Sequence, residues 1–220
     1  MYDMSNEELV TNSFYVTYAF LMTTATITFI EAIRTKNPKI RNILNLETCI
    51  SVVAAFYYGQ FVEDLKSGVD YEKINVTRYV DWSITTPIML LVLVLAFLYN
   101  SKKGPMRFSN FLIILLFNYL MLGFGYVGEI GMLDKTWANT FGFLAFFALY
   151  YFIYVKYIAG KNNSDNNMLF GAFVFLWALY GVFYTMDSVT RNVGYNVLDL
   201  FSKCFVGIFF WAYFTGVFKL

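Results

Sequence analysis

Apolar residues dominate seven stretches of the chain, near 10–33, 41–64, 76–99, 108–130, 136–158, 168–190 and 194–218, with short polar connections between them. About 20 such residues suffice to cross a ~30 Å hydrocarbon core as a helix. The pattern therefore predicts an all-α membrane protein, a seven-transmembrane-helix bundle that uses residues 1–220 as one domain. No repeat or low-complexity segment interrupts it.

Composition agrees: 59% of the 220 residues are hydrophobic, 21% aromatic and only 14% charged, far from the balance of a soluble domain. The opening "MYDMSNEELV" is acidic and lacks the basic start of a cleavable signal peptide, so the first run is expected to direct insertion.

Loop charges predict the orientation. Arg34, Lys36, Lys39, Arg41, Lys102, Lys103, Arg107, Lys156, Lys161 and Lys219 fall on one side. The other side has Lys66, Lys73, Lys135 and Arg191 against Asp3, Glu7, Glu8, Glu63, Asp64, Asp70, Glu72, Glu129, Asp134 and Asp187. The N-terminus is expected outside and the C-terminus inside. Asp165 belongs to an inner loop and Glu31 to the inner end of the first run, which leaves Glu47, Arg78, Asp81, Asp199 and Lys203 as intramembrane charges. Such residues are expensive in a bilayer and mark function.

Cys49 and Cys204 fall inside predicted helices, where cysteine serves as a small hydrophobe. No disulfide is expected and, with no histidine in the chain, no metal site.

The seventh run, "NVLDLFSKCFVGIFFWAYF", puts Asp199 and Lys203 four residues apart, on one helix face. A structural ion pair is the plain reading. A buried lysine can also form a Schiff base with an aldehyde, and a protonated imine needs an anion beside it. In the third run, "RYVDWSITTPIMLLVLVLAF", Asp81, Trp82, Thr85 and Met89 lie within about 60° of Arg78 at roughly 100° per residue. That face offers a carboxylate, an indole, a hydroxyl and a flexible apolar side chain, which suits a charged head followed by a long polyene. Arg78 and the imine supply two positive charges, and Asp81 and Asp199 supply two negative ones. Pro87 is expected to kink this helix, with a threonine hydroxyl on the carbonyl it leaves unpaired.

"RYVDWSITTP" and "DLFSK" closely resemble motifs of the third and seventh helices of type-1 microbial rhodopsins. The similarity extends along nearly the whole chain. "MLGFGYVG" (121–128) resembles the glycine-rich fourth-helix segment, Trp137 and Gly142 fall where the fifth helix meets the ionone ring, and "WALYG" (177–181) resembles a sixth-helix W-x-x-Y-P. The resemblance implies all-trans retinal on Lys203, Asp81 as main counterion and first proton acceptor, Asp199 as second counterion, and Arg78 as organiser of the outward side. It implies a retinal pocket of Trp82, Thr85, Met89, Met121, Gly125, Trp137, Gly142, Trp177 and Tyr180. Gly181 departs from the usual proline, and Asn118 from the aspartate of bacteriorhodopsin.

In proton-pumping relatives a carboxylate stands eleven residues after the counterion, and here that residue is Val92. Asp81 disfavours a chloride pump, and the sodium-pump pattern is missing. Glu47 lies in a second run that also carries Asn42, Asn45, Thr48, Ser51, Tyr58 and Gln60. Channel-forming rhodopsins line a cation path with second-helix acids and amides, so Glu47, Asn45 and Ser51 are the expected ion pathway of a light-gated cation channel. Glu47 as a substitute proton donor, in an outward light-driven proton pump, is the alternative, and a sensory photoreceptor is the third. Short loops, the "IEAIRTKNP" connection and Val92 resemble the rhodopsins of giant algal viruses, which include both channels and pumps.

Expected partners are retinal, the lipid bilayer (plasma membrane or host cell membrane) and monovalent cations or protons. A homo-oligomer is left open, and no nucleic acid is expected. An enzyme is disfavoured because no nucleophile, base or phosphate loop stands out.

Overall fold

Asn37 separates the first two helices. Its side chain accepts from the backbone N–H of Lys39 and Ile40 at 3.0 and 3.4 Å, and Pro38 takes the first helical position, where a missing N–H costs nothing. Helix α1 (Met4–Arg34) thus gives way to α2 (Pro38–Ser67) across three residues. The computed structural model describes residues 4–68, 70–102, 104–160 and 163–216. Asp3, Lys103, Lys161, Lys219 and the expected helix end at 217 and 218 lie outside the described residues.

The chain continues through α3 (Tyr71–Asn100), α4 (Phe108–Glu129), α5 (Lys135–Ile153) with a π-helical turn at Tyr154–Ile158, and α6 (Ser164–Tyr184). Then come α7 (Ser188–Asp199), a π-helical segment Leu200–Phe205 and α8 (Val206–Thr215), which form one continuous rod. No strand occurs among the described residues. Carboxylates start three of these helices: Asp70 caps α3 through Lys73, Asp134 caps α5 through Thr136 and Trp137, and Asp187 caps α7 through Val189 and Thr190.

Six helical segments among the described residues are long and apolar enough to cross a membrane. The exception is α2, which has 30 residues but carries Asn42, Asn45, Glu47, Ser51 and Gln60 along its length. It meets the length requirement and falls short in apolarity. Phe56 (61% exposed), Leu144 (60%) and Tyr151 (71%) are among the many large side chains that point outward, which suits a protein surrounded by lipid tails.

The helices group into two compact units. One comprises Met1–Asp81 with Met186–Leu220 and contains α1, α2, the start of α3 and the last rod. Its core joins Val10, Phe14, Leu21, Ala54, Tyr58, Phe61, Ile74 and Cys204. The other comprises Trp82–Thr185, where Val92, Leu93, Phe97, Ile114, Leu149, Ile153 and Phe173 are buried. Pro87 lies within α3. The carbonyl it leaves without its usual donor, that of Ser83, accepts from Tyr119 Oη of α4 at 3.1 Å, whereas Thr86 Oγ1 donates to Trp82 O at 2.7 Å. A tyrosine from a neighbouring helix thus does what was expected of a threonine.

Candidate functional site

In the first unit, four intramembrane charges meet. Lys203 Nζ donates to Asp81 Oδ2 at 2.7 Å and to Asp199 Oδ2 at 3.3 Å. Arg78 Nη1 lies 3.9 Å from Asp199 Oδ2. All four side chains are at most 1% exposed. With two cations and two anions the cluster is neutral, the condition that makes buried charge tolerable.

The backbone around Lys203 is not plain α-helix. Leu200–Phe205 is a π-helical segment, a feature that collects at functional sites. Its wider turn still returns Lys203 to the face of Asp199, so the shared face expected from the spacing survives the changed geometry.

Tyr58 is also part of the site. Its hydroxyl lies 2.9 Å from Asp199 Oδ2 and 3.0 Å from Asn196 Oδ1 as donor, and accepts from Arg78 Nη1 at 3.3 Å. Asn192 and Asn196 accept from the Arg78 guanidinium, and Asn192 Nδ2 donates to Asn75 Oδ1 at 3.2 Å. Four rings surround the Arg78 Cζ at 5.1–5.6 Å, those of Phe14, Tyr58, Phe61 and Tyr195. Sequence reasoning missed these amides. Their signal was the 4-3-4 spacing of Asn192, Asn196, Asp199 and Lys203, a polar stripe on one face of the seventh run. Arg191, taken as an outer-loop residue, sits in the first turn of α7 and is 5% exposed.

Glu47 is 2% exposed. Its Oε2 lies 3.1 Å from where a Cβ on Gly207 of α8 would stand, and Thr24 Cγ2 of α1 lies 2.8 Å from that point. Glycine leaves room for the carboxylate. Ser51 is fully buried, and its Oγ has no hydrogen-bond partner among the described residues. Asn45 does not join them: it is exposed, since two residues before Glu47 is about 200° around the helix whereas Ser51 is only about 40° away. Asn42 and Gln60 are exposed as well. Cys49 is exposed and Cys204 buried, both with free thiols.

In the second unit, Trp82, Thr85, Met89, Gly142 and Trp177 are buried, and Met121, Gly125 and Tyr180 half-buried. Trp82 meets Tyr180 edge to face at 5.6 Å, and Trp177 meets Tyr150 in the same way at 5.9 Å. Trp137 is 59% exposed and stacks on Phe141 at 5.9 Å. It is placed outward because it lies about 140° around α5 from Gly142.

Both departures from the family pattern have local explanations. A Cβ at Gly181 would meet the Phe143 ring, with Cε2 at 2.6 Å, so this phenylalanine occupies the room that a proline would need. Asn118 Nδ2 donates to Thr86 Oγ1 at 2.9 Å, a bond an ionised aspartate could not give.

The residues fit a retinal imine. A buried primary amine that donates to two carboxylates has the anionic acceptors such a cation requires.

The family model described as bacteriorhodopsin-like protein matches residues 9–217. A green-light absorbing proteorhodopsin of Gamma-proteobacterium EBAC31A08 is 25% identical over 230 residues, covering 95% of this chain and 88% of that relative. The crystal structure of the viral rhodopsin OLPVRII superposes with a TM-score of 0.91 at 60% identity, over 96% of this chain and 100% of the other. Thermophilic rhodopsin shares the fold, with a TM-score of 0.78 at 23% identity over 96% and 94%.

Proposed function

The chain belongs to the bacteriorhodopsin-like family, and on that premise we propose that it is a light-driven outward proton pump in which Lys203 carries all-trans retinal and Glu47 is the internal proton donor. The family implies a retinal chromophore, and the protein is an integral, multi-pass membrane protein. Bound retinal would supply light absorption and a change of shape at Lys203. The family resemblance assigns Trp82, Thr85, Met89, Met121, Gly125, Trp137, Gly142, Trp177 and Tyr180 to its pocket.

The chain's own residues account for the proton path. Asp81 Oδ2, at 2.7 Å from Lys203 Nζ, takes the proton. Asp199 is held by Tyr58 and lies near Arg78, a fixed second carboxylate beside Lys203. The return proton must come from the opposite side. Val92 cannot give it, but Glu47 reaches the rod at Gly207, four residues beyond Lys203, about 6 Å of helical rise.

The burial of Glu47 is the observation that carries the pump reading. A carboxylate sealed among α1, α2 and α8 can keep a proton and deliver it to one place, whereas a cation path needs a continuous polar lining. Asn42, Asn45 and Gln60 face away from such a lining. A light-gated cation channel is the second reading, supported by Ser51, whose buried hydroxyl shares the inward face with Glu47. In either case the N-terminus would lie outside.

Voltage-clamped photocurrents under varied proton, sodium and potassium gradients test the two. The pump gives outward current that does not reverse across the accessible voltage range. Current that reverses near a cation equilibrium potential overturns the pump and supports the channel.

A further inference from the structure

The proton path above leaves the surroundings of Arg78 unused. A guanidinium has five N–H donors and no acceptor, so burying it requires oxygen atoms placed around it. Asp199 Oδ2, at 3.9 Å from Nη1, is an ion-pair partner beyond hydrogen-bond reach. The acceptors are neutral instead: Asn196 Oδ1 for Nη2, Asn192 Oδ1 for Nε and Nη2 at 3.4 and 3.2 Å, and Tyr58 Oη for Nη1.

Asn196 is itself fixed from α1. Its Nδ2 donates to Ser13 Oγ at 2.8 Å, and its backbone carbonyl accepts from Thr17 Oγ1 at 3.0 Å. The amide therefore has one orientation, with the oxygen toward Arg78 and Tyr58 and the nitrogen toward α1.

We propose that Asn196 is a positioning residue that holds the Arg78 guanidinium inward against Asp199, with Asn192 as a weaker second support. Because an amide does not titrate, this restraint does not change as protons pass. It fixes the positive field felt by the two carboxylates that face Lys203. Among the described residues, the charged and titratable groups placed against those carboxylates include Lys203 and Cys204 on the rod, Arg78 on α3 and Tyr58 on α2, while Ser13 and Thr17 of α1 bond Asn196. The proposal rests on Lys203 being the pigment lysine.

The test is an acid titration of the visible absorption of the full-length protein with retinal. Protonating the counterion moves the absorption to the red, and the midpoint reports how strongly Arg78 favours the anion. Asn196→Leu should raise that midpoint by about one pH unit, a tenfold change, as expected when an opposite charge moves away. Asn192→Leu should move it less, in the same direction. Thr17→Val removes a bond to the Asn196 backbone and leaves the amide intact, so its midpoint should match the parent's. An unshifted Asn196→Leu midpoint, or an equal shift in Thr17→Val, overturns the proposal. If Asn196→Leu gives no pigment, an unshifted Asn192→Leu overturns it. A parent with no coloured band overturns the pigment reading instead.

Discussion

Lys203 Nζ lies 2.7 Å from Asp81 Oδ2, across 122 positions of sequence. The contact joins the π-helical segment of the last rod to α3 and is shorter than the 3.3 Å between Lys203 and Asp199, its neighbour on the same rod. Distance thus ranks the two carboxylates, Asp81 nearer the lysine nitrogen and Asp199 farther, the order that the proposed proton path requires.

Lys203→Ala should abolish the pigment. The parent, expressed with all-trans retinal, should show a visible band that hydroxylamine bleaches. Met89 is buried and apolar where relatives use a polar residue to shift absorption to the blue, so the band should lie in the green. The same hydroxylamine-sensitive band in Lys203→Ala would exclude this lysine as the attachment site.

Neutralising Asp81 removes the anion closest to the imine. Asp81→Asn should absorb further to the red while the imine is protonated and should bleach to the unprotonated form at a lower pH than the parent. Titrating both proteins side by side decides it. Identical spectra throughout would transfer the main counterion role to Asp199.

Glu47→Gln should leave the colour unchanged and slow the recovery of the visible band after a flash by roughly tenfold or more, because the internal donor is lost. Recovery should then speed up as the medium is acidified, since the proton must come from bulk water. Gly207→Ala puts a Cβ 3.1 Å from the Glu47 carboxylate and 2.8 Å from Thr24 Cγ2 and should reproduce part of that slowing. Flash photolysis that shows parental recovery in Glu47→Gln removes it from the proton path.

Tyr58→Phe deletes a donor to a buried carboxylate and an acceptor for Arg78. Hydrogen bonds to charged groups contribute about 1.5–3 kcal/mol, and a loss of that order should lower the temperature of thermal bleaching. An unchanged bleaching temperature would mean that the Asp199 carboxylate is held well enough without it.

Asp187 caps α7 outside the membrane span. Hydrogen bonds from the Thr190 side chain and backbone, and then from Val189, hold its carboxyl below the ordinary value of 3.8. A depressed carboxylate contributes stability that is fully present above its unfolded value and is lost as pH falls through the folded one. Asp187→Ala should therefore bleach at a lower temperature than the parent at neutral pH, and the gap should close below about pH 4. A gap that persists in acid would trace the effect to something other than the ionised cap.

The sequence by itself determined the helices and the charge cluster. Hydrocarbon leaves a spanning segment almost no alternative to a helix, so apolar length alone located six spans among the described residues. Buried charge is costly, so counting the charges left outside the loops isolated Glu47, Arg78, Asp81, Asp199 and Lys203. Helical spacing then placed Asp199 with Lys203, and their contact at 3.3 Å agrees. The tertiary structure decided what periodicity cannot encode, namely which atom of another helix fills a given vacancy. Tyr119 serves the carbonyl freed by Pro87, Phe143 fills the room above Gly181, and Gly207 admits Glu47. Asn45 and Trp137 turned outward because a helix assigns each residue one direction, and which direction is inward depends on neighbours far away in the chain. The hold on Arg78 depends on the same thing, since Asn196 takes its orientation from Ser13, 183 positions earlier.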